Sequence, residues 1–556
     1  MVVGYLAIVP LGYLLWGTFF DAGGPTLRHF REAYASQGLG AMAANSLLFA
    51  AGSTVVAVGI GTVLAYLIAR TDVPLKGLMF VAALVPLVIP GILHTIAWIF
   101  LASPRVGLIN RALEPLLGPG AFDVFSMGGM IVVEGLHLSP LVFLLLYAAF
   151  RSMDPALEES GLLGGARLRT VVRRVTLPLA APALAAAVLV AVVRGLEAFE
   201  VPALLGIPGG VWVFTSRIWR ALATYPRRFG EAGAYAFSLL VLTAAGVLLY
   251  ARLASRARRF QTITGRGFRP RPMPLGRWRG PATAVLLAYV VVAVVLPLGV
   301  LLYASTQRFY TVPSFSAIAA GTLDNYRTLL GSGEVLRAFR NSVALGIGSA
   351  TVVTLLLAIV AWVVVRSRAR ARWALDAVAF LPLAVPGLVL GVGLLFVYLR
   401  APVPVYGTLW ILFIAYVTRY MPYGMRYASA AMHQVGAELE EAAVVAGARW
   451  WATFRRVVLP LLAPGLVAGW IYVLLVSFRE LSGSILLYSP GNEVLSVVMW
   501  EQWQNGQATQ LAALGVLMVA ALALLAAAAR RLGARIGIRE PVAVAEAEEV
   551  LIGAER

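Results

Sequence analysis

The sequence has no cysteine, one lysine and four histidines in 556 residues. Without thiols there are no disulfides and no thiolate metal sites. His29, His94, His137 and His433 are scattered, and no His-Glu-x-x-His or comparable spacing occurs, so a zinc or haem enzyme is not expected. Charge is scarce as well: 13% of residues are Asp, Glu, Lys or Arg. A water-soluble chain of this length needs more polar surface than that can supply. No Gly-x-x-x-x-Gly-Lys-Ser/Thr phosphate loop is present, and the one lysine, Lys76, follows Pro74-Leu75 and not a glycine loop. No catalytic residue and no metal ligand is assigned.

What the sequence does have is apolar length. Sixty per cent of residues are hydrophobic and the mean hydropathy is +0.84. Stretches of about 20 apolar residues recur, the length that crosses a bilayer core as a helix. Spans are expected at roughly 2–20, 42–69, 78–102, 127–150, 178–200 and 232–252, then at roughly 282–304, 341–365, 375–399, 407–430, 460–478 and 508–529. The expected fold class is all-α: a polytopic membrane protein of about 12 transmembrane helices. A cleaved signal peptide would need a basic n-region and a small-residue cleavage site, and neither is clear at the N-terminus.

The formal net charge of +19 would suggest nucleic acid in a soluble protein. Here the arginines gather in short segments between apolar spans, as the positive-inside rule demands of cytoplasmic loops. Arg252, Arg256, Arg258, Arg259, Arg266, Arg269, Arg271, Arg277 and Arg279 lie between the sixth and seventh spans. Arg366, Arg368, Arg370 and Arg372 follow the eighth, and Arg530, Arg531, Arg535 and Arg539 the twelfth. If every span crosses once, all three clusters share one side, so both termini are expected in the cytoplasm and no nucleic-acid partner is expected. The Ala- and Glu-rich tail from Glu540 reads as disordered.

The chain is an internal duplication. Asn45-Ser46 is matched 296 positions on by Asn341-Ser342, and Pro86-Leu87-x-x-Pro90-Gly91 by Pro382-Leu383-x-x-Pro386-Gly387 at the same offset. Later matches fall 282 apart, so the first half holds 14 extra residues, expected around 103–125 on the outer side. Pro10-Leu11 and Pro297-Leu298 tie the first span into the repeat, so it is expected to be retained. An even number of spans per half makes two parallel six-helix repeats, with a path expected at their interface. The expected divisions are 1–255 for the first transmembrane repeat, 256–280 for a basic cytoplasmic linker, 281–532 for the second repeat and 533–556 for a cytoplasmic tail.

The most specific signal is cytoplasmic and occurs twice: LEESGLLGGARLRTVVRRVTLPLAAP from Leu157 and LEEAAVVAGARWWATFRRVVLPLLAP from Leu439. Glutamates open a short helix, where negative charge suits the positive end of the helix dipole. Gly165 or Gly447 can then take the left-handed conformation of a helix end. A second short helix follows, carrying Trp450, Trp451 and Phe454 in the second copy, and Pro460 is expected to open the next span. Such a partly apolar elbow at the water face suits contact with another protein. An amphipathic helix lying on lipid headgroups would explain one such segment, but not two copies of one spacing.

Glu441-Ala442-Ala443 followed by Gly447 resembles the "EAA" loop of bacterial type I ABC importer permeases. In that family the loop forms a coupling helix seated in a groove of the ATPase subunit. The resemblance implies a type I ABC importer permease fold and assigns ATPase coupling to Glu441, Ala442, Ala443, Gly447, Ala448 and Arg449. In the first copy it assigns Glu159, Gly165, Ala166 and Arg167, with a weaker contact because Ser160 and Gly161 stand where the family has alanines. It also implies an ABC ATPase dimer at the cytoplasmic face, which holds the ATP and Mg, and a periplasmic solute-binding protein outside. The chain itself would bind no cofactor, would hydrolyse nothing, and would lie in the bacterial inner membrane. The fused length and the run Glu197-Ala198-Phe199-Glu200-Val201-Pro202-Ala203-Leu204-Leu205-Gly206 look like the ferric-iron branch, which grades into thiamine, polyamine and phosphonate permeases.

Ionisable groups inside spans are costly and mark paths or partners. The pathway candidates are His137, Arg194, Glu197, Glu200, Arg419, Arg479 and Glu480. His137 and Arg419 each stand three residues before a proline, so the repeat places a basic or titratable group at one position in both halves, and Glu134 is placed to partner His137. These side chains either line a polar path or lock helices together. An ion-coupled secondary transporter would need its own coupling groups but no docking loops, and the twin loops argue against it. An intramembrane enzyme would need a nucleophile–base or metal constellation, and the spacing shows none.

Overall fold

The computed structural model describes residues 1–35, 38–257 and 272–535. Most of the basic linker (258–271) and nearly all of the tail (536–556) lie outside the described residues. The protein is helical, with one pair of two-residue strands, Phe20–Asp21 and Gly24–Pro25. Each of the twelve apolar segments is helical. Among the described residues nine helices are long and apolar enough to cross a membrane, and two bent helix pairs bring the number to eleven. The remaining segment, Leu409–Gln434, is one helix that carries Arg419, Arg426 and His433.

Prolines shape this framework in two ways. At Pro90 and Pro386 the helix breaks, so the third and ninth spans are bent pairs and not straight rods: Lys76–Val88 with Gly91–Ala102 bends by 99°, and Arg372–Ala384 with Gly387–Tyr398 by 108°. The residue before proline is forced out of the helical region, and Ile89 and Val385 are indeed extended. At Pro178 and Pro460 the expectation of a new helix start is corrected. The helix runs through from Leu168 to Glu197 and from Trp450 to Ser477. A proline ring clashes with the carbonyl four residues back and cannot donate to it. The chain relieves this with one wide π turn just before each proline, Val172–Thr176 and Phe454–Val458, closed by Leu177 N–H to Val172 O and Leu459 N–H to Phe454 O.

The chain forms two compact units that do not follow the sequence repeats. One combines Met1–Gly38, Arg217–Leu240 and Thr322–Arg539; the other combines Leu39–Ser216 with Val241–Gly321. The first helix of each repeat thus packs with helices of the opposite repeat. In the first unit, Val2–Phe19 lies along Gly387–Tyr398, where Gly17 meets the Phe396 ring and Tyr5 shares a 3.3 Å hydroxyl contact with Tyr398. In the second, Leu296–Ser305 packs on Gly91–Ala102. Beyond it the Tyr310 ring stacks on Phe100 at 4.2 Å and its hydroxyl donates to Phe100 O at 2.9 Å. Lipid offers no hydrophobic drive between helices, so close approach through small residues does the work. The 14 extra residues of the first half hold the Leu108–Leu117 helix, fastened by Asn110, whose amide donates to Ala102 O, Ser103 O and Phe122 O.

A Cβ at Gly393 would sit 2.6 Å from Pro10 O, whereas one at Gly12 would meet nothing within 4 Å. Gly393→Ala is therefore expected to destabilise by about 1–3 kcal/mol, the cost of overpacking. Gly12→Ala should stay within about 0.5 kcal/mol. Thermal unfolding of the purified protein in detergent measures both; equal midpoints would contradict this helix contact.

Candidate functional site: two docking elbows and a polar interior

The two elbows have the same backbone. Helix Ala156–Leu163 ends at Gly165 (φ +80°) and helix Glu438–Val445 at Gly447 (φ +82°). Gly165 N–H donates to Leu162 O at 3.0 Å and Ala166 N–H to Gly161 O at 3.1 Å. Gly447 N–H donates to Val444 O at 2.9 Å and Ala448 N–H to Ala443 O at 3.0 Å. This bond pair is the Schellman helix end, and it needs a left-handed residue, which glycine supplies without strain. Ala166 and Ala448 supply the second N–H. Arg167 and Arg449 are extended and start the next short helix, Leu168–Val171 or Trp450–Thr453. Leu163 and Val445, equivalent in the repeat, are each 89% exposed at the tip. Glu441 and Ala442 are exposed beside Val445, Glu159 is half-buried, and Trp450 stacks on Phe454 and meets Trp362 edge-on.

The glutamates before Glu159 and Glu441 hold each elbow to the bundle, and sequence reasoning missed them. Glu158 accepts from Arg70 Nη2 and, at 2.6 Å, from the Thr176 hydroxyl. Arg70 Nη1 also donates to Phe150 O and Met153 O at 3.5 and 3.3 Å. In the second half Arg366 Nε donates to Glu440 Oε1 at 3.1 Å, and Arg366 Nη2 to Met432 O and Val435 O. The arginine, the glutamate and the two carbonyls sit at repeat-equivalent positions. One substitution is compensated: Val458 replaces Thr176, and Trp362 Nε1 donates to Glu440 Oε2 at 2.7 Å instead. The signal was present, since Arg70 and Arg366 share the 296-residue offset, but arginines at span ends read as a charge rule.

The pathway candidates divide between the units. In the second unit Arg194 and Glu197 form a local ion pair at 3.6 Å. Glu200 faces Gly91, just past the Pro90 break. The His137 ring lies 5.1 Å from that of His94, whose Nε2 donates to Val133 O at 3.1 Å. Glu134 is buried within electrostatic range of Glu200. In the first unit Ser482 stands at the repeat equivalent of Glu200, and Glu480, two residues earlier, also faces Gly387 past the Pro386 break. Its carboxylate accepts from Gly483 N–H at 2.9 Å and the Tyr420 hydroxyl at 3.1 Å. Arg419 Nη1 donates at 2.7 Å to Val385 O, a carbonyl freed by that break. Arg479 is half-buried beside Glu480. Sequence reasoning missed His94 and Tyr420; their neighbours come from other helices. No group of three or more His, Asp or Glu among the described residues is placed to hold a metal.

The first unit also holds a cavity of about 800 Å³ between helices Phe214–Ala223 and Leu495–Gln504, lined by Trp219, Arg220, Arg227, Glu334, Tyr488 and Glu501, among others. The two helices occupy matching places in the two repeats. Burial pushes the Glu501 carboxyl up while its hydrogen bond with Tyr488 draws it back, and burial pushes the Tyr488 phenol up to about 12.

Residues 57–259 and 342–537 each match the family of binding-protein-dependent transport system inner membrane components. The chain belongs to that family, twice over, and is a multi-pass inner-membrane transport component. Among curated relatives it is 26% identical over 71% of its length to a putative ferric transport system permease protein FbpB 1 of Haemophilus influenzae, 62% of which is covered. It is 24% identical over 85% of its length to an Fe(3+)-transport system permease protein FbpB 2 of the same organism, with 86% covered. It is 30% identical over 77% of its length to a probable ABC transporter permease protein y4fN of Sinorhizobium fredii, with 75% covered. The match spans about three-fifths of the first of these relatives.

Thr176→Val removes a donor to a buried carboxylate and is expected to destabilise by about 1.5–3 kcal/mol, the worth of a hydrogen bond to a charged group. Thr283→Val, whose hydroxyl is exposed and bonds only its own helix, should stay within about 0.5 kcal/mol. Thermal unfolding compares them; a neutral Thr176→Val would place Glu158 elsewhere.

Proposed function

We propose that this chain is the two-repeat permease of an ABC importer that carries ferric iron from a periplasmic binding protein to the cytoplasm. A separate ATPase dimer docks on the two elbows. The observation that carries the reading is the pair of superposable elbows, each ending in a bare apolar tip, Leu163 or Val445, beside a turn that only glycine forms without strain. An apolar side chain fully exposed at the water face of a membrane protein, repeated twice, suits a partner's groove. Family membership supports the class, and the relatives named as ferric permeases support iron. The arginine clusters support a cytoplasmic side for the elbows and both termini. The chain carries no phosphate loop, so ATP and its Mg belong to the partner. The Glu200 and Glu480 carboxylates beside the two helix breaks are oxygen donors suited to a hard cation in transit.

Glu441→Ala and Gly447→Val are expected to abolish solute-stimulated ATP hydrolysis and uptake while the protein still inserts. Valine at φ +82° costs about 1–2 kcal/mol and shifts the docking helix. Glu159→Ala and Gly165→Val should act in the same direction but less severely. ATPase copurification, hydrolysis in liposomes and radioactive ferric uptake, each normalised to membrane expression, measure this. Wild-type transport by Gly447→Val would sink the docking assignment. Import of another solute without iron would sink the substrate and leave the permease standing.

A further inference from the structure

Each elbow is tied to the membrane bundle at a single polar joint. The joint has one guanidinium, one carboxylate and two backbone carbonyls, and its parts come from three segments: the end of the Leu39–Arg70 or Gly333–Arg366 helix, the end of the Met127–Arg151 or Leu409–Gln434 helix, and the docking helix. The carbonyls at Phe150, Met153, Met432 and Val435 sit at or just past helix ends, where no N–H of the helix reaches them. Arginine presents a rigid fork of five donors, so it can hold a carboxylate and two carbonyls at one fixed geometry, which a lysine ammonium cannot do.

Resting on the reading that the elbows dock an ATPase, we propose that Arg70 and Arg366 are the positioning residues of transport coupling: through Glu158 and Glu440 they make each docking helix move as one body with two membrane helices. Three observations support a mechanical role beyond folding. Both joints keep the arginine, the glutamate and the two carbonyls at repeat-equivalent positions. Where the sequence drops the Thr176 hydroxyl, an indole from another helix restores the lost bond to the carboxylate. And the joint glutamates point inward while their neighbours Glu441 and Val445 point out, so one helix turn carries the joint on one face and the docking surface on the other. A buried ion pair gives little net stability compared with apolar packing, whereas it fixes geometry. The first joint is the tighter: its side chains are 1% and 3% exposed, against 19% and 14% in the second. Only the first also receives the far end of the linker, where Met273 N–H donates to Arg70 O at 2.8 Å.

The test uses Arg366→Lys, which keeps the charge and loses the fork, and Glu440→Gln, which keeps the size and loses the charge. Each is purified as the full complex with its ATPase and binding protein and reconstituted in liposomes. The readout is ferric iron imported per ATP hydrolysed, a ratio that a loss of folded protein does not change. The expected result is that the ATPase still copurifies with both variants while the ratio falls tenfold or more, with Arg70→Lys at least as severe. Two results would overturn the joint: an unchanged ratio in both variants, or loss of ATPase copurification at Glu440→Gln equal to that at Glu441→Ala, which would make Glu440 part of the docking surface. If no ATPase copurifies with the unmutated chain, the docking reading itself has failed, a distinct outcome.

Discussion

An arginine buried at the end of a membrane helix must satisfy its donors from the protein, because no water reaches it. Arg70, 1% exposed, does so at both terminal nitrogens, with one carboxylate and two carbonyls, and leaves Nε without a partner; Arg366 uses the same set of acceptors with Nε on the carboxylate. From that requirement the geometry of the elbow follows. The carboxylate fixes the start of a short helix, the helix ends in a glycine turn, and the turn leaves one apolar residue exposed. Leaving any of these charges unpaired in a buried setting would cost several kcal/mol.

The second organising constraint is proline in a medium without water. At Pro178 and Pro460 the chain widens one turn and the span continues. At Pro90 and Pro386 the span breaks by about a right angle. Each break frees backbone groups, and at the second an ionisable side chain bonds one of them. Arg419 bonds the freed Val385 carbonyl, and Glu200 and Glu480 face the glycines that follow. Some of the polar residues of the interior and the broken helices thus belong together.

Much of this was legible in the sequence. Apolar length gave the helices, paired offsets of 296 and 282 gave the duplication, and the spacing from Glu441 to Gly447 gave the elbow with its turn. Three things were not. Prolines 178 and 460 read as helix starts because the pattern of residues does not distinguish a new N-terminus from a π turn. The exchange of first helices between repeats rests on close contacts such as Gly393 with Pro10, and pairing between distant segments leaves no local mark. The joint glutamates were overlooked for the neighbouring glutamates of the motif, since a one-residue shift on a helix turns a side chain by about 100° and only packing shows which one faces inward.

The absence of cysteine makes the central claim directly testable, since a single introduced thiol is the only one on the chain. Leu163→Cys and Val445→Cys place it at the two elbow tips, and Leu116→Cys, also exposed, places it on the helix inserted in the first half. The measurement is the rate of maleimide labelling of each, with and without the ATPase bound. The account predicts that the ATPase slows labelling at both tips by tenfold or more and leaves Leu116→Cys unchanged. Equal rates at the tips with and without the ATPase would contradict it.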